Sequence, residues 1–200
     1  TEKELKSNIV PIEMFLRIKK RINPSGKTYE YAYWVANTYR KRRKMPKQKV
    51  KQYLGRVYRF EKKTNQEIES IETKKSSLKE NIMLLLENEL KNYAFEKKED
   101  FWIKEKCSIN VQQGLCIDQE GKNICIAIND GLLHNLTIQA LIAFKPKEGL
   151  EKEIGKQLGN SLLSAGIRPK EAVFISLFQQ IMAKHNNHQQ SATMMSNAEQ

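Results

Sequence analysis

Between Met14 and Ile22 the chain reads MFLRIKKRI, with Met14, Leu16 and Ile18 on one parity and Arg17, Lys19 and Arg21 on the other. A period of two marks a half-buried strand, because successive side chains leave opposite faces of a pleated backbone. NPSGK follows, where Pro24 and Gly26 supply a turn. Lys27 to Tyr39, KTYEYAYWVANTY, is dense in aromatic and β-branched residues and predicts a second strand. Past a basic loop around Pro46, VKQYLGRVYRF predicts a third strand, with Gly55 marking a bulge or a close backbone approach. The expectation is a three-stranded antiparallel module over 14–62, one face apolar and the other basic, after a polar, flexible arm over 1–13.

The period then changes. Residues 63–77 are charged and helix-permissive, with Ile68 and Ile71 their only large apolar side chains, and predict a helical linker. Ser77-Leu78-Lys79-Glu80 has the form of a capping box, and Leu78, Ile82, Leu85, Leu86, Leu90 and Tyr93 recur at helical spacing over 78–94. FWI, CSINV, GLCID and NICIAIN then predict short strands. Helices are expected over 136–144, over 150–165 with Gly166 ending it, and over 169–184 with Pro169 in its first turn. The tail over 185–200 has little to bury and is expected to be disordered. The fold class is α+β: a small antiparallel basic β-module, a helical linker, and a C-terminal mixed domain over 78–184.

Charge sharpens this division. The chain carries a formal charge of +12, yet residues 14–63 hold seventeen Lys and Arg against Glu30 and Glu61 alone, a net of +15. The remainder is at −3, so a basic module adjoins a nearly neutral one. Seven of the eight arginines and six of the seven tyrosines also fall in that quarter. Such a concentration of one sign repels itself unless an anionic partner is present. Phosphate backbones reward it, since each neutralised phosphate releases condensed counterion. Interleaved tyrosines can stack on unpaired bases, although Tyr29, Tyr31 and Tyr33, which share a strand face, are expected chiefly to pack in the module's core. Arg40 to Lys44 with Met45-Pro46-Lys47 also has the form of a nuclear-localisation signal.

Other chemistry finds less support. Cys107, Cys116, Cys125 and His134 stand nine residues apart throughout, and a Cys3His set suits zinc. Structural zinc sites bring ligands in pairs two to four residues apart, and cysteine within an apolar strand behaves as a small hydrophobe. No metal and no cofactor is therefore expected. The chain has no Gly-rich phosphate loop, no Ser or Cys nucleophile motif and no His-x-Glu pair, and Asp100, Asp118 and Asp130 look placed in turns or segment ends. A non-enzymatic role is expected. No apolar run approaches the ~18 residues of a membrane span, and the N-terminus lacks a signal-like apolar region. Three cysteines do not make a disulfide framework. These features predict an intracellular, cytoplasmic protein (nuclear in a eukaryote) with no membrane partner.

MFLRIKKR, KTYEYAYWVANTYRK and KVKQYLGRVYRF, in this order, resemble a small basic β-module at the start of uncharacterised archaeal-type proteins. They are similar also to the N-terminal segment of some DDE transposases, with Tyr53-Leu54-Gly55 the most recognisable part. The resemblance covers about residues 14–60 and implies affinity for nucleic acid; the chain has neither the room nor the acidic residues for the transposase nuclease domain.

The reading is thus a nucleic-acid-binding protein, inclined to structured RNA or the ribosome because no recognition helix accompanies the charge. A DNA-binding module derived from a mobile element and an adaptor for an acidic protein are the alternatives. The expected contacts are Arg17, Lys19, Arg21, Arg40, Arg42, Arg43, Lys47, Lys49, Lys51 and Arg56, with Tyr39 and Tyr53 as stackers. The C-terminal domain is expected to make protein contacts or to complete the fold.

Overall fold

A computed structural model describes residues 14–40, 45–73, 76–146 and 150–183; at 14, 38–40 and 45–47 it describes the backbone alone. The chain forms two compact units that divide after Val57. It is an α+β protein, with antiparallel strands first and helices later.

The first unit is a meander of β1 (Met14–Ile22), β2 (Thr28–Arg40) and β3 (Met45–Arg59, of which the residues to Val57 belong here). Its first turn is built by Asn23. The Asn23 Oδ1 accepts from the Lys27 amide and the Ser25 hydroxyl, both at 2.8 Å, while Gly26 takes the left-handed φ of 79°. A side-chain oxygen that closes its own loop fixes the turn without a long connection. The register that results is symmetric about Ser25 and pairs Arg17 with Tyr33, Lys19 with Tyr31 and Arg21 with Tyr29. β3 extends five residues further toward its N-terminus than predicted. It pairs with β2 through two irregularities, at Ala32/Tyr33 and Trp34/Val35. Gly55 marks the first: its φ of 144° is a conformation L side chains rarely adopt, and Leu54 is the extra residue. Ala32, Val35, Ala36, Leu54 and Val57 are buried, whereas Leu16, predicted on the apolar face, is 39% exposed.

The second unit packs α1 (Leu78–Asn92), α2 (Asn135–Ile142), α3 (Glu151–Ser164) and a fourth helix, α4, over 171–183 around short strands. The strands β4 (Glu96–Lys98), β5 (Phe101–Lys104), β6 (Cys107–Asn110) and β7 (Leu115–Asp118) form an antiparallel sheet in that order, and β8 (Ile124–Ile128) pairs with β9 (Gly131–Leu133). Asp118 repeats the device of Asn23: its Oδ1 accepts from the amides of Glu120 and Lys122, and Gly121 follows at φ 74°. The capping box of α1 is formed, with the Glu80 amide donating to Ser77 and the Ser77 amide to the Glu80 carboxylate. The Ser77 amide, and after it the Ser77 side chain, hold the Glu80 carboxyl below its usual range. Ile82, Leu86 and Leu90 of α1 share one core with Ile109, Ile126, Leu141, Leu158 and Leu177. Gly155 and Gly159 let α3 approach α4 under the rings of Phe178 and Phe174; a Cβ at Gly155 would meet Phe178 at 3.5 Å.

The helical linker is corrected. Residues 62–72 contain no helix and run as an irregular strap against α1. Asn92 accounts for this, because it takes the hydrogen bonds that a helix would keep for itself. Its backbone oxygen accepts from the amides of Lys63 and Thr64, its Oδ1 from the Gln66 amide at 2.8 Å, and its Nδ2 donates to the Gln66 oxygen at 2.9 Å. Ile68 and Ile71 pack on the core and pin the strap's far end.

Candidate nucleic-acid interface

Directly opposed residues of an antiparallel pair share a face. The register therefore assembles one face of the first unit from Arg17, Lys19 and Arg21 of β1, Tyr29, Tyr31 and Tyr33 of β2, and Tyr53 and Arg56 of β3, which oppose Tyr33 and Tyr31. Lys19, Arg21 and Arg56 each lie over a ring. The Lys19 ammonium lies 5.2 Å from the centroid of Tyr33, and the Arg21 guanidinium 5.7 Å from that of Tyr31. Arg56 lies 4.3 Å from Tyr29, with Lys27 on the same ring at 6.0 Å. Tyr53 packs beside Tyr33 at 5.4 Å and Tyr31 at 6.3 Å, and 51% of it is exposed. Arg17 donates to Gln48, which holds its head above the sheet.

This corrects the expectation for Tyr29, Tyr31 and Tyr33. They are half-buried, but among cations on the basic face and not in the module's core. The signal was available: the turn centred on Ser25 fixes the parity of β2 against β1, and that parity sets the three tyrosines beside Arg17, Lys19 and Arg21. Each cation–π contact contributes about 0.5–1 kcal/mol at such exposure. More usefully, it restrains a long side chain whose ordering would otherwise oppose binding.

The face carries no compensating acid. Glu30 is the sole acid among the described residues of this unit; it lies on the other face, 3.8 Å from Lys20. Lys49 is also on that other face, opposite Ala36, and the exposed Lys51 is the extra residue of the second bulge. Arg40 and Lys47 stand in β2 and β3 near the tip of the hairpin, where, as for Tyr39, only the backbone is described. Arg42 and Arg43 lie outside the described residues. Of the expected contacts, then, Arg17, Lys19, Arg21, Tyr53 and Arg56 come together.

In the second unit Cys107, Cys116, Cys125 and His134 are all buried. Burial pushes the Cys116 thiol well up and Cys125 up to about 12, and pushes the His134 imidazole down to about 4. All three thiols are free, and no group of three metal-ligating side chains with suitable geometry occurs among the described residues. A polar cleft of about 210 Å³ lies between the strap and α1, lined by Lys62, Asn88, Glu89, Asn129, Arg168 and Lys170 among others. Its charges are paired internally: Lys62 with Glu89 at 2.9 Å, Arg168 with Asp130, and Lys170 with Glu67 and Glu69. No helix among the described residues is long and apolar enough to cross a membrane. Comparison with protein-family models, curated proteins and solved structures returned no match.

Proposed function

We propose that this chain is a non-catalytic nucleic-acid-binding protein that grips phosphates on the tyrosine-bearing face of its N-terminal sheet, with RNA the favoured ligand. One observation carries the reading: an acid-free face on which Arg17, Lys19, Arg21 and Arg56 are interleaved in register with four tyrosines. Charge of one sign at this density is self-repelling and is relieved by a polyanion. A face without a helix to enter a major groove favours RNA over sequence-read duplex DNA.

The test is a salt series with labelled RNA, duplex DNA and poly-glutamate. The five cations Arg17, Lys19, Arg21, Lys27 and Arg56 together predict a slope of log K against log salt of about −3.5 on a single strand; contacts from Arg42 and Arg43 would steepen it. Lys19→Glu with Arg21→Glu should abolish binding and leave the circular dichroism unchanged. Absence of binding to either nucleic acid at ~50 mM salt, or equal binding to poly-glutamate, defeats the proposal.

A further inference from the structure

We infer that the tyrosine face takes unpaired nucleotides, with a base stacked on Tyr53 and its flanking phosphates on Lys19, Arg21 and Arg56; the inference rests on the nucleic-acid reading above and narrows its ligand to single strands. Width is the first reason. Three strands ~4.8 Å apart occupy about 14 Å, whereas a B-form major groove about 12 Å wide admits a helix or a two-stranded ribbon. An A-form major groove is narrower and deeper still. At the major groove of either duplex this face meets only the outer backbone, and in no groove does a paired base offer its π-face to a ring.

The second reason is where the aromatic surface lies. A face meant for phosphates alone needs cations, and tyrosines between them would dilute the charge. Here the rings of Tyr29, Tyr31 and Tyr33 are half-covered by Arg56, Arg21 and Lys19, while Tyr53, in the third strand and beside two of those rings, has half its surface exposed. Its neighbours hold it in place, and cations surround it. A flat π-surface ringed by cations fits a base whose backbone passes on either side, and stacking tolerates any base because each has a π-face.

The experiment measures the intact chain against labelled oligouridylate and oligothymidylate of about twelve nucleotides and against RNA and DNA duplexes with the same number of phosphates, all four over the same salt series. Single strands should bind at least roughly tenfold more tightly than either duplex. Tyr53→Leu should weaken single-strand binding by about ten- to a hundredfold with the salt slope and duplex binding unchanged, and Tyr53→Phe should match the wild type. Because Tyr53 is exposed, Tyr53→Leu should retain its fold, checked by circular dichroism. Duplex binding as tight as single-strand binding, or Tyr53→Leu indistinguishable from wild type, overturns the inference and leaves the nucleic-acid reading intact. If none of the four probes binds, both fall.

Discussion

Gly166 closes α3 and offers a sharp test of how the second unit is packed. It takes φ +81° directly after Ala165. Its amide donates to the Leu163 oxygen, and the next amide, of Ile167, to the Leu162 oxygen, both at 2.9 Å. These two bonds are a Schellman closure, with buried Leu162 and Ile167 making its apolar contact. An alanine here would suffer twice. The left-handed backbone alone costs about 1 kcal/mol. The new Cβ would also stand 2.2 Å from the Ile128 oxygen, a backbone atom that cannot rotate away. Overpacking of that kind costs roughly 1–3 kcal/mol, so Gly166→Ala should lose about 2–4 kcal/mol, a large share of a typical domain's stability. Gly121 is the internal control. It has nearly the same φ, +74°, in the same unit, yet nothing lies within 4 Å of its absent Cβ. Gly121→Ala should cost only about 1 kcal/mol. Gly131→Ala separates the terms the other way, since its Cβ would fall 2.1 Å from the Gly166 nitrogen without a left-handed φ. Urea midpoints followed by Trp102 emission, at unchanged m, give the three values. Equal losses for Gly166→Ala and Gly121→Ala would show that the contact with Ile128 does not constrain the fold.

Two further outcomes concern buried polar groups. His134 is neutral when folded, because burial lowers its pKa to about 4, while the unfolded value is near 6.5. Between these limits the unfolded chain binds the extra proton, so stability is full above pH ~6.5 and falls by about 3 kcal/mol as pH drops to ~4. His134→Gln should remove that increment from urea midpoints measured at both ends; an unchanged pH dependence would refute the assignment. Asn92→Ala removes the partner of the Gln66 amide and of the Thr64 hydroxyl, at about 0.5–1.5 kcal/mol for each, while Asn88 still donates to the Gln66 carbonyl. Hydrogen exchange should then accelerate at Lys63, Thr64 and Gln66, and protection equal to wild type would mean that Asn92 does not hold the strap.

Much of this was readable wherever one local rule acts alone. Strict alternation in β1, the Ser77–Glu80 box and the Leu/Ile spacing of α1 and α3 each fix an element by short-range physics, and the structure has them in place. The helix expected over 63–77 is not formed over its described residues 63–73, because composition permitted it but Asn92, more than twenty residues away, takes its donors. β4, Glu96–Lys98, escaped notice because all three residues are exposed and polar; only its pairing with β5 makes it a strand. The candidate face was half legible. Arg17, Lys19, Arg21 and Arg56 announce themselves by charge, but the tyrosines read as core until the register of two hairpins decides their side. Lys49 was misjudged on charge alone: it stands an odd number of positions from Arg56 and the two intervening bulges cancel, so alternation already turns it to the other side.

Those bulges act as a parity count. A strand keeps track of its faces modulo two, and each inserted residue adds one to the tally, so Leu54 and Lys51 together return β3 to its original phase. Gln48 consequently reaches Arg17, while Lys49 turns away. Deleting either residue removes its bulge with it and leaves Gln48 and Lys49 on their present sides. One added residue that pairs in the ladder instead of bulging would exchange the sides of everything upstream, sending Lys49 toward the tyrosines and Gln48 away from Arg17. The cation pattern of the face is therefore adjustable by a single-residue insertion, without changing the identity of any side chain that composes it.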